Sequence, residues 1–210
     1  MAEPDITVAA RWQTLTSPRI RGMGRWEPNA QGRLEKAAME LFSEDGYEQT
    51  TVAEIAARAG LSERTFFRHY ADKREVLFAG TTAFRDNFVN SISHAPDAAT
   101  PLQTVTLALE AAAAALEEYR GREFASARQR IIASNPELRE RELIKLADVS
   151  AGMAEALRGR GVGEPLASMT AELGMAAFRV AFERWVAEDE TRSLSELIDE
   201  SLAGIAAAVS

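Results

Sequence analysis

Residues 50–77, TTVAEIAARAGLSERTFFRHYADKREVL, predict two short helices joined by a tight turn and followed by the start of a third helix. Thr51 and Glu54 have the spacing of a capping box, in which a hydroxyl and a carboxylate satisfy the free amides at a helix start. Apolar residues then recur with helical spacing, at Val52, Ile55, Ala56 and Ala59. This part of the stretch therefore predicts a helix of about two turns with one buried face.

Gly60 and Ser62 mark the turn that follows. Glycine ends a helix where the chain needs a left-handed residue, and serine is a good N-cap for the next helix, which we expect at Ser62–Tyr70. A helix, a short turn with glycine and a second helix make up the helix-turn-helix plan. In that plan the second helix lies in the major groove of DNA, so the stretch predicts a DNA-reading element.

The two faces of the second helix can be assigned from their spacing. Phe66 and Tyr70 are four residues apart and are expected to point into the core. The outward face then holds Glu63, Arg64, Phe67 and Arg68. Residues 58–74 contain five basic and two acidic residues, in a chain whose net charge is −8. Positive charge concentrated on such a surface is what binding to DNA phosphates requires.

The same residues resemble the DNA-binding signature of the TetR family of transcriptional regulators. The resemblance covers about residues 32–77 and includes the capped helix, the Ala-Gly turn, the Thr-Phe-Phe-Arg-His-Tyr run and the following lysine. It implies an all-α homodimer with an effector-binding C-terminal domain, and it implies that Thr65, Phe67, His69 and Lys73 lie at DNA-contacting positions. Position 67 is usually tyrosine in the family. Phe67 cannot donate to a phosphate, so we expect an apolar contact there, such as one to a thymine methyl group.

A double-stranded operator is the expected partner of this surface. We expect phosphate contacts from Thr51, His69, Lys73 and helix N-termini, and base contacts or helix orientation from Glu63, Arg64, Thr65, Phe67 and Arg68. Ser62, the cap of the recognition helix, is counted with the same surface.

Composition limits the other possibilities. The chain has 210 residues, no cysteine and 46% hydrophobic residues, which is enough for one large or two small domains. Without cysteine there is no disulfide or thiolate site. No apolar run approaches the roughly 18 residues of a membrane span, and no signal pattern is present, so we expect a cytoplasmic protein without membrane contact. Residues 1–80 hold 11 basic and 12 acidic residues, and residues 81–210 hold 13 and 20, so the acidity lies in the C-terminal part.

We divide the chain into an N-terminal arm at 1–27, a helix-turn-helix domain at 28–77 and a ligand-binding and dimerisation domain at 78–210. The arm carries Arg11, Arg19, Arg21 and Arg25 with no acid between Arg11 and Glu27. It is interpreted either as a solvated tail or as a basic arm that reaches into the minor groove through Arg21 and Arg25.

About nine helices are expected in the folded part. The first ends near Asp45, and the fourth runs continuously from about Asp72 to Ser93. The eighth, at about Pro165–Glu188, is apolar on two sides and must be covered on two sides, so we expect one side to meet a second copy of the chain. Together with the ninth helix it gives the predicted dimer interface: Leu166, Met169, Leu173, Val180, Leu194, Ile198, Leu202 and Ile205.

An effector pocket is the remaining candidate site. The resemblance implies that the C-terminal helices enclose it, and methionine and aromatic residues suit an adaptable apolar cavity. The candidates are Phe124, Arg128, Ile131, Met153, Met175, Phe178 and Trp185. Each is alternatively an ordinary core residue, with Arg128 a candidate to orient a polar group of the ligand. We expect a small-molecule effector that is mainly apolar.

The motifs of enzymes are missing from the sequence. His69 and His94 do not have metal-ligand spacing, and no Walker loop, GxSxG or GxGxxG motif occurs. We therefore expect no catalytic site, metal or cofactor. The leading hypothesis is a ligand-responsive repressor that binds a near-palindromic operator as a homodimer. An activator on the same fold, or a helical ligand-binding module without DNA binding, are the alternatives.

Overall fold

The structure is a computed structural model that describes residues 30–208. These residues form ten helices and no strand, which confirms the predicted all-α class. The helices are α1 (Ala30–Glu44), α2 (Val52–Arg58), α3 (Glu63–His69), α4 (Lys73–Leu77), α5 (Thr81–Ser93), α6 (Pro101–Tyr119), α7 (Gly121–Ser134), α8 (Pro136–Gly159), α9 (Leu166–Trp185) and α10 (Leu194–Ala208). None of these helices is long and apolar enough to cross a membrane.

Helices α1–α4 form an N-terminal head. Helix α1 packs against α2 and α4, and α2 packs against α3. The head core contains Leu34, Phe42, Ile55 and Phe66, each at most 3% exposed. This core also includes Ile131, Ile132 and Leu138, which belong to α7 and α8. The head is therefore completed by side chains from the rest of the chain.

Helices α5–α10 form the body. Helix α9 lies at its centre and packs against α6, α8 and α10, while α5 packs against α6 and α8. Gly174 lets α9 approach α6 closely, because a Cβ at this position would overlap Cγ1 of Val105. The large apolar cluster between these helices includes Met153, Met175 and Phe178. Burial of such apolar area is the main source of stability in a helical body of this kind.

One predicted helix is divided in two. The sequence predicted a continuous fourth helix to Ser93, but the structure interrupts it at residues 78–80, between α4 and α5. The amide of Thr81 would bond to the Leu77 carbonyl in a continuous helix; instead it donates to the Phe78 carbonyl at 3.0 Å. The prediction of a continuous fourth helix was therefore wrong, and a residue of α7 bonds to the carbonyl that the break releases.

Candidate nucleic-acid interface and adjoining cavity

The helix-turn-helix is built by local capping. The Thr51 hydroxyl accepts from the Glu54 amide at 3.2 Å, and the Glu54 carboxylate accepts from the Thr51 amide at 2.8 Å, which confirms the predicted capping box. The Thr51 amide and hydroxyl both donate to the Glu54 carboxylate, and these two bonds hold its pKa below the usual range. Gly60 ends the turn with φ +65°, and the Leu61 amide closes it by donating to the Ala56 carbonyl at 2.8 Å. The short path from α2 to α3 is therefore fixed by the sequence itself.

Arg33 on α1 also braces this turn. Its guanidinium donates to the carbonyls of Ala59 and Gly60. A Cβ at Gly60 would come within 2.7 Å of the Arg33 Nη2 atom, so glycine leaves space for the guanidinium as well as permitting the positive φ.

Helix α3 has the orientation that its spacing predicted. Phe66 is fully buried and Tyr70 is 5% exposed, with ring centroids 5.5 Å apart. Burial raises the pKa of the Tyr70 phenol, and the nearby Glu35 carboxylate adds to that effect, so the phenol stays neutral and donates to Glu35. The opposite face, with Glu63, Arg64, Arg68 and His69, is exposed.

Phe67 lies on the exposed face with 54% of its surface accessible. Its ring meets Phe66 edge-on, with centroids 5.5 Å apart. A large aromatic side chain exposed among arginines is unusual for a surface that only meets water. The arrangement fits a face that makes contact with another molecule, by one apolar and two cationic side chains.

Two arginines of the head form ion pairs with carboxylates of the head. Arg58 pairs with Glu44 at 2.8 Å, and Arg74 pairs with Asp72 at 2.6 Å. By contrast, within residues 30–208 Arg64 makes no ion pair or hydrogen bond. Arg68 is also exposed on α3, and its Nη2 atom lies 3.5 Å from Nε2 of His69. The exposed face of α3 thus carries two arginines, of which Arg64 has no partner among the described residues.

The Lys73 ammonium is hydrogen-bonded within the head. Its ammonium donates to the backbone carbonyls of Tyr47 at 2.7 Å, Glu48 at 3.2 Å and Thr50 at 3.1 Å, and it lies 4.3 Å from the centre of the Tyr47 ring. An ammonium has three donors, and all three are used here. In this geometry the residue fixes the loop between α1 and α2, and its predicted phosphate contact stays a prediction.

Other hydroxyls and amides predicted to meet phosphates are similarly occupied. The Thr51 hydroxyl donates to the Glu54 carboxylate at 2.8 Å, and at the start of α4 the Asp72 carboxylate accepts the amides of Arg74 and Glu75. The Ser62 hydroxyl accepts from the Thr65 amide at 3.2 Å and shares a hydrogen bond with the Thr65 hydroxyl. These polar groups therefore make hydrogen bonds within the head. Arg21 and Arg25 lie outside the described residues.

A cavity of about 90 Å³ lies where the head meets the body. Two of the residues predicted for the effector pocket, Phe124 and Arg128, line this cavity. Its other apolar walls come from Met39, Val76, Leu77, Leu116, Ala125 and Phe182. The remaining predicted pocket residues do not line it: Ile131 belongs to the head core, and Met153, Met175, Phe178 and Trp185 are at most 5% exposed in the body core. Their apolar spacing does not distinguish a pocket wall from close packing.

The residues predicted to form the dimer interface also fall into two groups, exposed and buried. On α9, Leu166 is 53% exposed, Met169 65% and Val180 50%, while Leu173 is half-buried. On α10, Leu202 and Ile205 are half-buried. Leu194 and Ile198 are fully buried against the body of their own chain, so the prediction that they contact a partner was wrong. An amphipathic stripe shows which residues are covered, but not by which neighbour.

The sequence did not indicate the polar residues that join head and body. Arg120 pairs with Glu35 at 2.6 Å, Arg141 pairs with Glu75 at 2.5 Å, and Lys145 lies 3.4 Å from the same carboxylate. Arg128 donates to the Leu77 carbonyl at 2.7 Å and pairs with Glu142 at 3.0 Å. Apart from the Arg128–Glu142 pair, these partners are at least 51 positions apart, and no local pattern links them.

A braced helix-turn-helix head with an exposed cationic α3, joined to a helical body with a cavity beneath it, defines the class of helical DNA-binding regulators. Residues 34–79 match the bacterial regulatory proteins of the tetR family, and residues 99–210 match the MftR C-terminal domain. Since the second match alone spans more than half of the sequence, the chain belongs to the TetR family of transcriptional regulators.

Individual relatives agree with this assignment. The regulator MftR of Mycobacterium tuberculosis is 26% identical over 187 residues, which cover 86% of this chain and 91% of MftR. The regulator TcmR of Streptomyces glaucescens is 39% identical over 79 residues, which cover 38% of this chain and only 35% of TcmR. Among solved structures, the repressor SmeT of Stenotrophomonas maltophilia has a TM-score of 0.57 at 22% identity, over 85% of this chain and 89% of SmeT. The last similarity supports the fold alone.

Proposed function

We propose that this regulator is a ligand-responsive repressor that binds a near-palindromic operator as a homodimer. The single observation that carries the DNA-binding part is the exposed face of α3, on which Arg64, Phe67 and Arg68 stand away from a buried Phe66–Tyr70 anchor. Arginine against guanine is the commonest specific contact in the major groove, and an apolar ring suits a thymine methyl group.

In this proposal Arg64 and Arg68 read bases or the adjacent phosphates, and Phe67 makes the apolar contact. Glu63, Thr65 and His69 lie on or beside the same surface and orient the helix. Thr51, Ser62 and Lys73 act indirectly, because their polar groups stabilise the loops and helix caps that position α3. This division differs from the sequence prediction, in which Thr51 and Lys73 contact phosphates directly.

The second copy of the chain is proposed to cover the α9 stripe. Leu166, Met169 and Val180 expose half or more of their surfaces on one helix. Large apolar patches of this kind mark interaction surfaces, and a two-fold axis would pair the stripe with itself and with Leu202 and Ile205 of α10. Such a dimer places two α3 helices in successive major grooves about 34–36 Å apart.

The effector is proposed to enter the cavity between head and body. Its present volume of about 90 Å³ has room for a few water-sized groups, whereas ligand pockets are typically about 300–1,000 Å³. A ligand must therefore enlarge the cavity. Because Leu77, Ala79 and Gly80 form part of the wall, enlargement would displace the junction of α4 and α5 and, with it, the head. The mostly apolar lining supports a mainly apolar effector.

DNA binding by purified protein would test the proposal. A gel shift on the chain's own upstream DNA, with a scrambled competitor and at two salt concentrations, should give a discrete complex that survives competition. Arg64→Ala should lower specific affinity by about 1–3 kcal/mol and relax base preference. Arg139→Ala is the matched control, because it removes the same charge from an exposed position on α8.

The outcomes separate the candidates. If upstream DNA gives no specific complex, a genome-wide binding selection follows, and failure there as well would favour the ligand-binding module without DNA binding. A reporter placed under the operator then distinguishes repressor from activator. Loss of affinity in Arg139→Ala equal to that in Arg64→Ala would overturn the assignment of α3 as the reading helix.

A further inference from the structure

The interruption between α4 and α5 leaves one backbone carbonyl without its helical partner. The Thr81 amide donates to Phe78 instead of Leu77, so the Leu77 carbonyl is released from the helix. The Arg128 Nε atom donates to this carbonyl at 2.7 Å. A buried carbonyl without a donor is costly, so the interruption depends on a partner from outside the helix.

Arg128 reaches the break through a largely buried position. Its side chain is 20% exposed, and its guanidinium lies 5.2 Å from the centre of the Phe78 ring. The Nη1 atom pairs with Glu142 at 3.0 Å, and the Glu142 side chain is 19% exposed. Burial lowers the pKa of the guanidinium, and the Glu142 carboxylate partly offsets this effect. Because arginine stays protonated in proteins, Arg128 is a largely buried cation with a carboxylate partner. One rigid group thus connects α7, α8 and the break.

The position of this contact relates it to α3. Helix α4 has five residues and follows α3 after residues 70–72, so little chain separates Leu77 from the DNA-reading face. The Asp72 cap and the Arg141 and Lys145 pairs with Glu75 keep α4 itself in place. Those ion pairs bind the Glu75 side chain of α4, whereas Arg128 binds the backbone carbonyl at the break between α4 and α5.

We propose that Arg128 is a positioning residue for operator binding. By donating to the Leu77 carbonyl and the Glu142 carboxylate at once, its planar guanidinium fixes the angle between α4 and α5 and hence the presentation of α3. The inference depends on the proposed function only for its DNA measurement. Its structural measurement needs no operator.

Arg128→Lys tests the geometry of the contact while keeping the charge. A lysine ammonium lacks the planar fork with which arginine holds two partners at fixed positions. The matched control is Arg130→Lys on the same helix, because Arg130 is exposed and, among residues 30–208, its side chain donates only to the Ser126 hydroxyl, at 3.3 Å. Each variant is compared with the unaltered sequence in thermal unfolding, in a head-to-body distance and in DNA binding.

The distance measurement uses the absence of cysteine from the sequence. Lys36 on α1 and Glu155 on α8 are exposed, so each is replaced by cysteine and a spin label is attached to it. An excess of unlabelled protein suppresses distances between protomers. Arg128→Lys should broaden the head-to-body distance distribution and lower the ratio of specific to nonspecific DNA affinity by about tenfold, the value of one charge-assisted hydrogen bond. Arg130→Lys should leave both unchanged.

A purely structural role would give a different result. It would lower the unfolding temperature and reduce specific and nonspecific binding together, with an unchanged distance distribution, and this would overturn the proposal. If Arg128→Lys does not fold, Glu142→Gln replaces it, since the amide keeps the shape but not the charge. It should broaden the distribution to a smaller extent, and an unchanged distribution in Glu142→Gln would also overturn the proposal. If no operator is found, the distance measurement alone decides.

Discussion

Replacing Lys73 by methionine distinguishes a structural lysine from a phosphate-binding one. The change keeps most of the apolar stem and removes an ammonium that donates to three carbonyls of residues 47–50 and lies over the Tyr47 ring. Tyr47 and Thr50 are at most 6% exposed, whereas Glu48 is exposed. Water can therefore replace the lysine at Glu48, but it reaches the other two carbonyls poorly.

The expected loss follows from these contacts. A hydrogen bond to a charged group contributes about 1.5–3 kcal/mol, and a cation over an aromatic ring about 0.5–1 kcal/mol at an exposed site. Allowing for rehydration of the Glu48 carbonyl and for partial burial, Lys73→Met should cost roughly 2–4 kcal/mol of unfolding free energy. For a chain of this size, that corresponds to a decrease of roughly 5–15 °C in Tm.

Thermal unfolding followed by circular dichroism measures this loss. Lys36→Met on α1 is the control, because Lys36 is 80% exposed and its carboxylate partner, Glu40, is 3.9 Å away. DNA binding at several salt concentrations is measured below the unfolding temperature of the variant. If Lys73 were a phosphate contact, the salt slope would become shallower by about one with unchanged stability. That pair of results would refute the structural assignment.

Three further predictions concern packing, capping and charge. Gly174→Ala should destabilise the body by roughly 1–2 kcal/mol in chemical denaturation, because its Cβ meets Val105, whereas Gly159→Ala, with open space around it, should be neutral or slightly stabilising. Thr51→Ala should cost about 1 kcal/mol of unfolding free energy through loss of the cap, and Thr51→Ser should restore most of it; equal stabilities would contradict the capping role. Burial raises the pKa of the Asp72 carboxyl. Hydrogen bonds from the Arg74 side chain and from the Glu75 and Arg74 amides lower it by a larger amount, so its pKa lies below the usual range. The ionised Asp72 carboxylate stabilises the fold above about pH 4, the pKa of an aspartate in the unfolded chain. This stabilisation is lost as the pH falls through the lowered pKa of the folded state. Asp72→Asn should therefore flatten that part of the curve of stability against pH in acid unfolding.

Local chemistry was predictable from the sequence. The Thr51–Glu54 capping box, the positive φ at Gly60, the Ser62 cap and the inward pair Phe66 and Tyr70 all involve residues within four positions of each other. At such separations the side chain and the backbone that it caps are neighbours in any helical fold. The second capping box, Thr100 with Gln103, follows the same rule at the start of α6.

Contacts between distant residues were not predictable in this way. Lys73 binds carbonyls 23–26 positions earlier, so its sequence position suggested an exposed cation at a helix start. The apolar periodicity of α4 continues into α5, yet the chain breaks there, and the Leu77 carbonyl is bonded by Arg128, 51 positions away. Ile131 and Ile198 carry regular helical spacing, yet one completes the head core and the other the body core.

Several of the contacts that the sequence did not indicate join head and body, and this suggests how the molecule divides its tasks. Short-range capping makes the head a nearly rigid unit, since α2, α3 and α4 each begin at a side-chain cap. The attachment of that unit uses the apolar side chains Ile131, Ile132 and Leu138. It also uses three partly exposed ion pairs, Arg120–Glu35, Arg128–Glu142 and Arg141–Glu75. A charge-assisted hydrogen bond is directional and weakens steeply once its geometry is lost. A ligand that widened the neighbouring cavity by even one ångström would therefore act on the orientation of α3 before it acted on the fold of the head.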